Sequence, residues 1–189
     1  ETLGTVDGPG IRYVLFLQGC PFQCKYCHNR DSWKPNIREQ KTVQDILEDY
    51  KKYKHFYKNG GLTVSGGEPL MQLEFLIDLF KEAKARGVHT ALDTSGGTYN
   101  PRRNEEFLEL LKYTDLVMLD IKHMDDEQHK WLTAHSNKNI LEFAKFVDSQ
   151  NVDLYIRHVV IPDINDDEKY YRPLREFLDT LNNVKKSNY

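Results

Sequence analysis

Cysteine is scarce in this chain: there are three among 189 residues, all between positions 20 and 27. An odd number of clustered thiols does not make the paired framework of a disulfide-stapled domain, and it suits a reducing cytosol. Long apolar runs are missing as well; none approaches the ~20 residues needed to span a bilayer. Neither charge sign is in excess, with 26 Lys and Arg against 29 Asp and Glu and a formal net charge of −3. That near-balance gives no support to a nucleic-acid partner or a membrane-surface role. The chain has no internal repeat or low-complexity segment, and no signal-peptide pattern follows Glu1. Its length suits one domain with a sizeable core. A single domain over residues 1–189, truncated at both ends, is the expectation.

What is present is an alternation of two apolar periodicities. Ile11–Gln18, Leu62–Ser65, His89–Asp93, Leu116–Ile121 and Leu154–Ile161 are short runs rich in β-formers. Between them lie helical patterns. Val43, Ile46, Leu47 and Tyr50 share a face behind Thr42, a candidate N-cap. Leu73, Leu76, Ile77 and Phe80 repeat the spacing, with Gly87 as a stop. Phe107, Leu110 and Leu111 mark a third helix, and Ile140, Phe143, Ala144 and Val147 a fourth. Leu174, Phe177, Leu178 and Leu181 mark a fifth, with Pro173 expected near its first turn. The alternation predicts an α/β fold of parallel strands covered on both faces. Five strands do not distinguish a partial barrel from an open doubly wound sheet. In either fold, active sites gather at the C-terminal strand ends.

Chemistry-bearing residues recur there. The first strand runs into Cys20, Cys24 and Cys27, the second into Ser65-Gly66-Gly67-Glu68, and the third into Asp93-Thr94. The fourth carries Met118, Asp120, Ile121 and Lys122; the fifth carries Arg157. Three thiolates on one loop can ligate three irons of a [4Fe–4S] cluster, and with no fourth cysteine one iron keeps an open position. Two other uses of the loop are available. A structural zinc site takes four ligands, for which His28 is the nearby candidate. Cys24-x-x-Cys27-His28 also matches the attachment motif of c-type haem, which would make an electron-transfer protein and leave Cys20 without a role.

Cys20-x3-Cys24-x2-Cys27, with Tyr26 before the last cysteine and Gly66-Gly67-Glu68 downstream, resembles the radical S-adenosylmethionine (SAM) superfamily. Gly4-Thr-Val-Asp-Gly-Pro-Gly-Ile-Arg12, Cys27-His-Asn-Arg-Asp-Ser-Trp33 and Val117-Met-Leu-Asp-Ile-Lys122 are similar to its glycyl radical enzyme activases of the pyruvate formate-lyase type. No cysteine lies between Cys27 and Gly67, where many other activases carry a ferredoxin-like insert. Activases of anaerobic ribonucleotide reductase also lack it and are the alternative within the family. The resemblance implies a partial (β/α)6 TIM-like barrel whose last strand falls beyond the C-terminus of this chain.

It also implies a chemistry. Cys20, Cys24 and Cys27 would hold the cluster, and SAM would chelate its open iron. One electron would then release a 5′-deoxyadenosyl radical, which takes a hydrogen atom from a glycine Cα of pyruvate formate-lyase under anaerobic conditions. By the same resemblance Tyr26, Cys27 and His28 meet the adenine, while Ser65, Gly66, Gly67 and Glu68 surround the methionine ammonium. Asp120, Ile121, Lys122 and Arg157 meet the ribose and carboxylate. A monovalent cation would sit among Asp93, Thr94, Met118 and Asp120. Asp7, in a glycine-rich segment expected to be mobile, would grip the partner's glycine loop. Reduced flavodoxin or ferredoxin would supply the electron, in the cytoplasm.

Overall fold

The computed structural model describes residues 1–35 and 39–188. Six parallel strands lie side by side in chain order: β1 (Arg12–Leu17), β2 (Gly61–Gly66), β3 (Thr90–Thr94), β4 (Leu116–Asp120), β5 (Asp153–Arg157) and β6 (Val184–Asn188). Between them run α1 (Val43–Lys52), α2 (Leu73–Ala85), α3 (Asn104–Leu111), α4 (Asp126–Thr133), α5 (Lys138–Ser149) and α6 (Glu168–Leu178). This is the α/β partial-barrel architecture: among the described residues each of β1 to β5 is followed by helix, and no strand is out of sequence. Among the described residues no helix is long and apolar enough to cross a membrane.

Local chemistry sets the boundaries. Thr42 caps α1 reciprocally with Asp45, and the apolar stripe of Ile46, Leu47 and Tyr50 turns inward. Strand residues alternate between two buried environments. Leu92, Val117, Leu119, Leu154 and Ile156 join the large core under the helices. Ala91, Leu116 and Met118 pack with Tyr155 in a smaller cluster on the other face, inside the barrel. Both faces are covered, so the strands read as continuous apolar runs.

Four features differ from the sequence reading. A sixth strand lies within this chain: Val184–Asn188 pairs parallel to β5. Val-Lys-Lys-Ser-Asn gives no apolar signal because it is an edge strand whose stability comes from its ladder with β5. The fifth strand ends at Arg157, and residues 158–161 leave the sheet. α6 begins at Glu168, so Pro173 is inside the helix rather than in its first turn. α4 was not legible, since its buried residues are only His129, Leu132 and Thr133.

Candidate active site

The C-terminal ends of the strands meet around one cavity of about 210 Å³. Parallel register brings the strand ends level: Leu17 pairs with Gly66, Thr94 with Leu119, and Asp120 with Arg157. Of the expected residues, Cys20, Tyr26, Cys27, His28, Gly66, Gly67 and Lys122 line it. So do Cys24, Ser65, Asp93, Thr94, Asp120 and Arg157. Phe22, Asn29, Trp33 and Ser95 join them. Asn29 and Trp33 belong to the Cys27–Trp33 motif without having been given a role, and Phe22 and Ser95 are neighbours of marked residues, inside the cysteine loop and next to Thr94.

The cysteine loop is fixed from two sides. Just beyond β1, Gly19 N–H donates to Ser32 O at 2.7 Å and Cys20 N–H to Trp33 O at 3.1 Å. From below, the end of α4 offers carbonyls to the loop: Gln23 N–H donates to Thr133 O and Lys25 N–H to Leu132 O, both at 3.0 Å. His135 Nε2 adds a bond to Pro21 O at 2.7 Å, and its ring packs on Phe22 at 4.7 Å. Ala134, left-handed at φ 66°, turns the chain from α4 into this contact.

Gly66 and Gly67 complete the seat. A Cβ on Gly66 would sit 2.2 Å from Leu17 O, and one on Gly67 2.3 Å from Gly19 O. The glycine pair therefore lets β2 lie directly against the backbone of the cysteine loop. Glu68, expected beside the cofactor, is buried beneath the cavity floor. Its carboxylate accepts from Leu70 N–H, Ser95 N–H, and the hydroxyls of Thr94 and Ser95. It acts as a strut joining the ends of β2 and β3. Ile121 is likewise buried and does not line the cavity; its carbonyl accepts from His158 Nδ1 at 2.6 Å. Met118 lies deeper in the barrel.

Charges cross the cavity as one chain. Ser65 Oγ donates to Asp93 Oδ2 at 2.9 Å. The Arg157 guanidinium bonds both oxygens of Asp93 and reaches Asp120 Oδ1 through Nε at 2.9 Å. Lys122 Nζ reaches Asp120 Oδ2 at 3.0 Å. Burial pushes the Asp93 carboxyl up to about 6, more than Arg157 draws it down. Burial also opposes charge on Asp120, but Lys122 and Arg157 together hold it below the ordinary range. The result is one reluctant and one firmly ionised carboxylate facing two cations.

The donor set fits a polynuclear cluster. Burial pushes the Cys20 thiol up to about 11 and raises Cys24 too, so an electron-deficient partner is needed to favour their thiolates. Among the described residues, no three Cys, His, Asp or Glu side chains converge tightly enough for a single metal ion. The thiols ring a cavity rather than a point, and thiolates are soft ligands suited to iron–sulfur clusters.

Asp7 lies outside this cavity, in an N-terminal segment that is pinned: its carbonyl accepts from Thr63 Oγ1 at 2.7 Å. Burial raises the Asp7 carboxyl, against the fields of Arg157 and Arg12.

Residues 14–172 match the radical SAM superfamily. A pyruvate formate-lyase-activating enzyme from Staphylococcus epidermidis is 49% identical over 98% of this chain and 76% of its own length. One from Listeria monocytogenes is 47% identical over the same shares. Among solved structures, a domain of pyruvate-formate lyase-activating enzyme from Bacteroides vulgatus aligns with TM-score 0.61 and 35% identity, covering 68% of this chain and 78% of that one. SuiB from Streptococcus suis, solved with S-adenosylmethionine, aligns with TM-score 0.67 over 94% of this chain and 39% of its own. At 16% identity the latter likeness concerns the fold alone.

Proposed function

The chain belongs to the radical SAM superfamily and, within it, to the pyruvate formate-lyase-activating enzymes, and from that premise we propose a role for each part of its site. When bound, a [4Fe–4S] cluster and SAM supply a 5′-deoxyadenosyl radical that takes a hydrogen atom from a glycine Cα of pyruvate formate-lyase, leaving the glycyl radical there. The protein's work is binding, orientation and exclusion of water.

Cys20, Cys24 and Cys27 hold the cluster through their sulfurs. Tyr26 and His28 form the wall for the adenine. The open backbone at Ser65, Gly66 and Gly67 receives the methionine ammonium, with Glu68 keeping Thr94 and Ser95 in place beneath it. Lys122 and Arg157 are the cations for the SAM carboxylate; a guanidinium fork binds a carboxylate in bidentate fashion. Asp120 orients both cations and faces the ribose, beside the backbone of Ile121. A monovalent cation is held among Asp93, Thr94, Asp120 and the carbonyl of Met118, where hard oxygen donors suit it. Arg157 bridges the same carboxylates, so it would have to share them with this cation. Activity that stayed constant across different alkali-metal buffers would remove it.

Asp7 grips the partner's glycine loop. Reduced flavodoxin or ferredoxin delivers the electron, and the reaction runs in the reducing cytosol. The observation that carries the reading is the convergence of three thiols and an Asp–Arg–Asp–Lys chain on one cavity at the strand ends. Anaerobic purification followed by a visible spectrum tests it: broad sulfide-to-iron absorption is expected, and sharp porphyrin bands would contradict it. Dithionite and SAM should then yield 5′-deoxyadenosine.

A further inference from the structure

At the opposite end of the barrel interior from the cavity, Arg12 is fully buried. Its five hydrogen bonds run to neutral acceptors. Nε donates to Thr63 Oγ1 at 2.8 Å, and Nη2 to Leu62 O at 2.7 Å and His89 O at 3.4 Å. Nη1 donates to His89 Nδ1 at 3.2 Å and Pro9 O at 3.4 Å. Burial lowers this guanidinium to about 10, and it remains a cation at neutral pH.

A guanidinium only donates, so Thr63 Oγ1 must accept from it. The hydroxyl's single proton is then committed in the other direction, to the carbonyl of Asp7. The relay Arg12–Thr63–Asp7 has one possible sense, and the charge at its head strengthens both bonds. Its far end is the turn that carries the Asp7 carboxylate. Pro9, two residues on, is held by the same guanidinium. Nearby Thr5, Val6 and Gly8 form one side of a cleft of about 250 Å³, which Tyr155 and Arg157 help to complete. Arg157 also lines the cavity of the cysteines. The turn therefore stands beside a cleft that shares Arg157 as a common wall with the reactive site.

We infer that Arg12 and Thr63 are positioning residues for the protein substrate: through this relay they hold the Asp7 turn in its receiving conformation before pyruvate formate-lyase arrives. The inference rests on the reading of Asp7 as the group that grips the glycine loop. Holding a binding turn in advance removes the ordering cost from association. The relay accordingly governs recognition of the partner, while the cofactor cavity is built by other residues.

The test follows glycyl radical formation on pyruvate formate-lyase by electron paramagnetic resonance, as a function of its concentration, with the cluster-loaded enzyme. Thr63→Val keeps the shape and removes both bonds; Thr63→Ser keeps both. Thr63→Val should raise KM for pyruvate formate-lyase about tenfold, the scale of one hydrogen bond's worth of binding. Its kcat, its partner-free formation of 5′-deoxyadenosine and its cluster signal should be retained, and Thr63→Ser should match the wild type. A Thr63→Val enzyme with unchanged KM overturns the relay, as does one whose kcat and partner-free cleavage fall while its KM rises, since that marks a packing defect. Asp7→Ala separates the two readings. A raised KM there with an unchanged KM in Thr63→Val sinks the relay alone. An unchanged KM in Asp7→Ala sinks the gripping role and the relay with it. Should Thr63→Val fail to fold, Arg12→Lys, which keeps charge but loses the fork, is read by the same KM-against-kcat split.

Discussion

The guanidinium of Arg157 at the end of β5 spans the carboxylates of Asp93 on β3 and Asp120 on β4. The three strands are thus tied at the mouth of the site by one side chain. Removing one member of such a buried set leaves uncompensated charge. Arg157→Gln should cost about 2–3 kcal/mol of unfolding free energy. Asp93→Asn in that background should cost less than in the wild type, with a coupling above about 1 kcal/mol. Denaturant unfolding of the two single variants and the double variant measures it; additive costs would show that the bridge carries no energy of its own.

Asp93 also predicts a pH dependence. Its folded carboxyl titrates near 6, pushed up by burial, whereas an unfolded aspartate titrates near ~3.9. Between those values the folded state holds a proton that the unfolded state has released. Stability from this group therefore grows as pH falls from about 6 towards about 4, and that gain is absent at higher pH. The difference in stability between wild type and Asp93→Asn should shift with this sign, by on the order of 1–3 kcal/mol, in cofactor-free protein. Thermal melts at stepped pH check it, and a difference independent of pH would refute the assignment.

Gly67→Ala tests the seat of the cysteine loop. The added methyl group would lie 2.3 Å from Gly19 O, and a backbone atom cannot swing aside as a side-chain tip can. The loop must move, so bound iron after anaerobic reconstitution should fall well below the wild-type level. The fold, measured by circular dichroism, should persist. Full iron loading would show that the glycine is a convenience of the turn and not a requirement of the site.

Ala134 ends α4 at φ 66°, a conformation that costs an L-residue about 1–2 kcal/mol. Glycine removes that strain and returns some entropy to the unfolded chain. Ala134→Gly should therefore stabilise the protein by about 0.5–1 kcal/mol, or roughly 1–4 °C in Tm for a domain of this size. Calorimetry decides it, and a lower Tm would mean that the methyl group makes a packing contact worth more than the strain.

The parts legible in the sequence are those whose physics is local. The apolar runs of β1 to β4 show which residues are buried, and Thr42 shows where α1 begins. The cysteine spacing announces its own chemistry. Features that depend on distant partners were hidden. α4 has too few apolar residues to declare itself, yet its last carbonyls hold the amides of Gln23 and Lys25. β6 is polar because an edge strand needs only its neighbour's ladder. Glu68 reads as a charge near the cofactor; only the fold reveals four donors closing on it, from Thr94 on β3, twice from Ser95 just beyond it, and from Leu70 in the turn after β2. Arg12 looks like part of a motif in one dimension and becomes the head of a relay in three.

The central claim is transfer of a hydrogen atom from a glycine of another protein, driven from the cavity of Cys20, Cys24 and Cys27. Electron paramagnetic resonance of pyruvate formate-lyase, incubated anaerobically with the reconstituted enzyme, SAM and a reductant, measures it directly. The account predicts a glycyl radical signal on pyruvate formate-lyase, accompanied by 5′-deoxyadenosine and lost when any one of the three cysteines is replaced by alanine. Cluster-loaded enzyme that turns over no SAM and leaves pyruvate formate-lyase silent would contradict it.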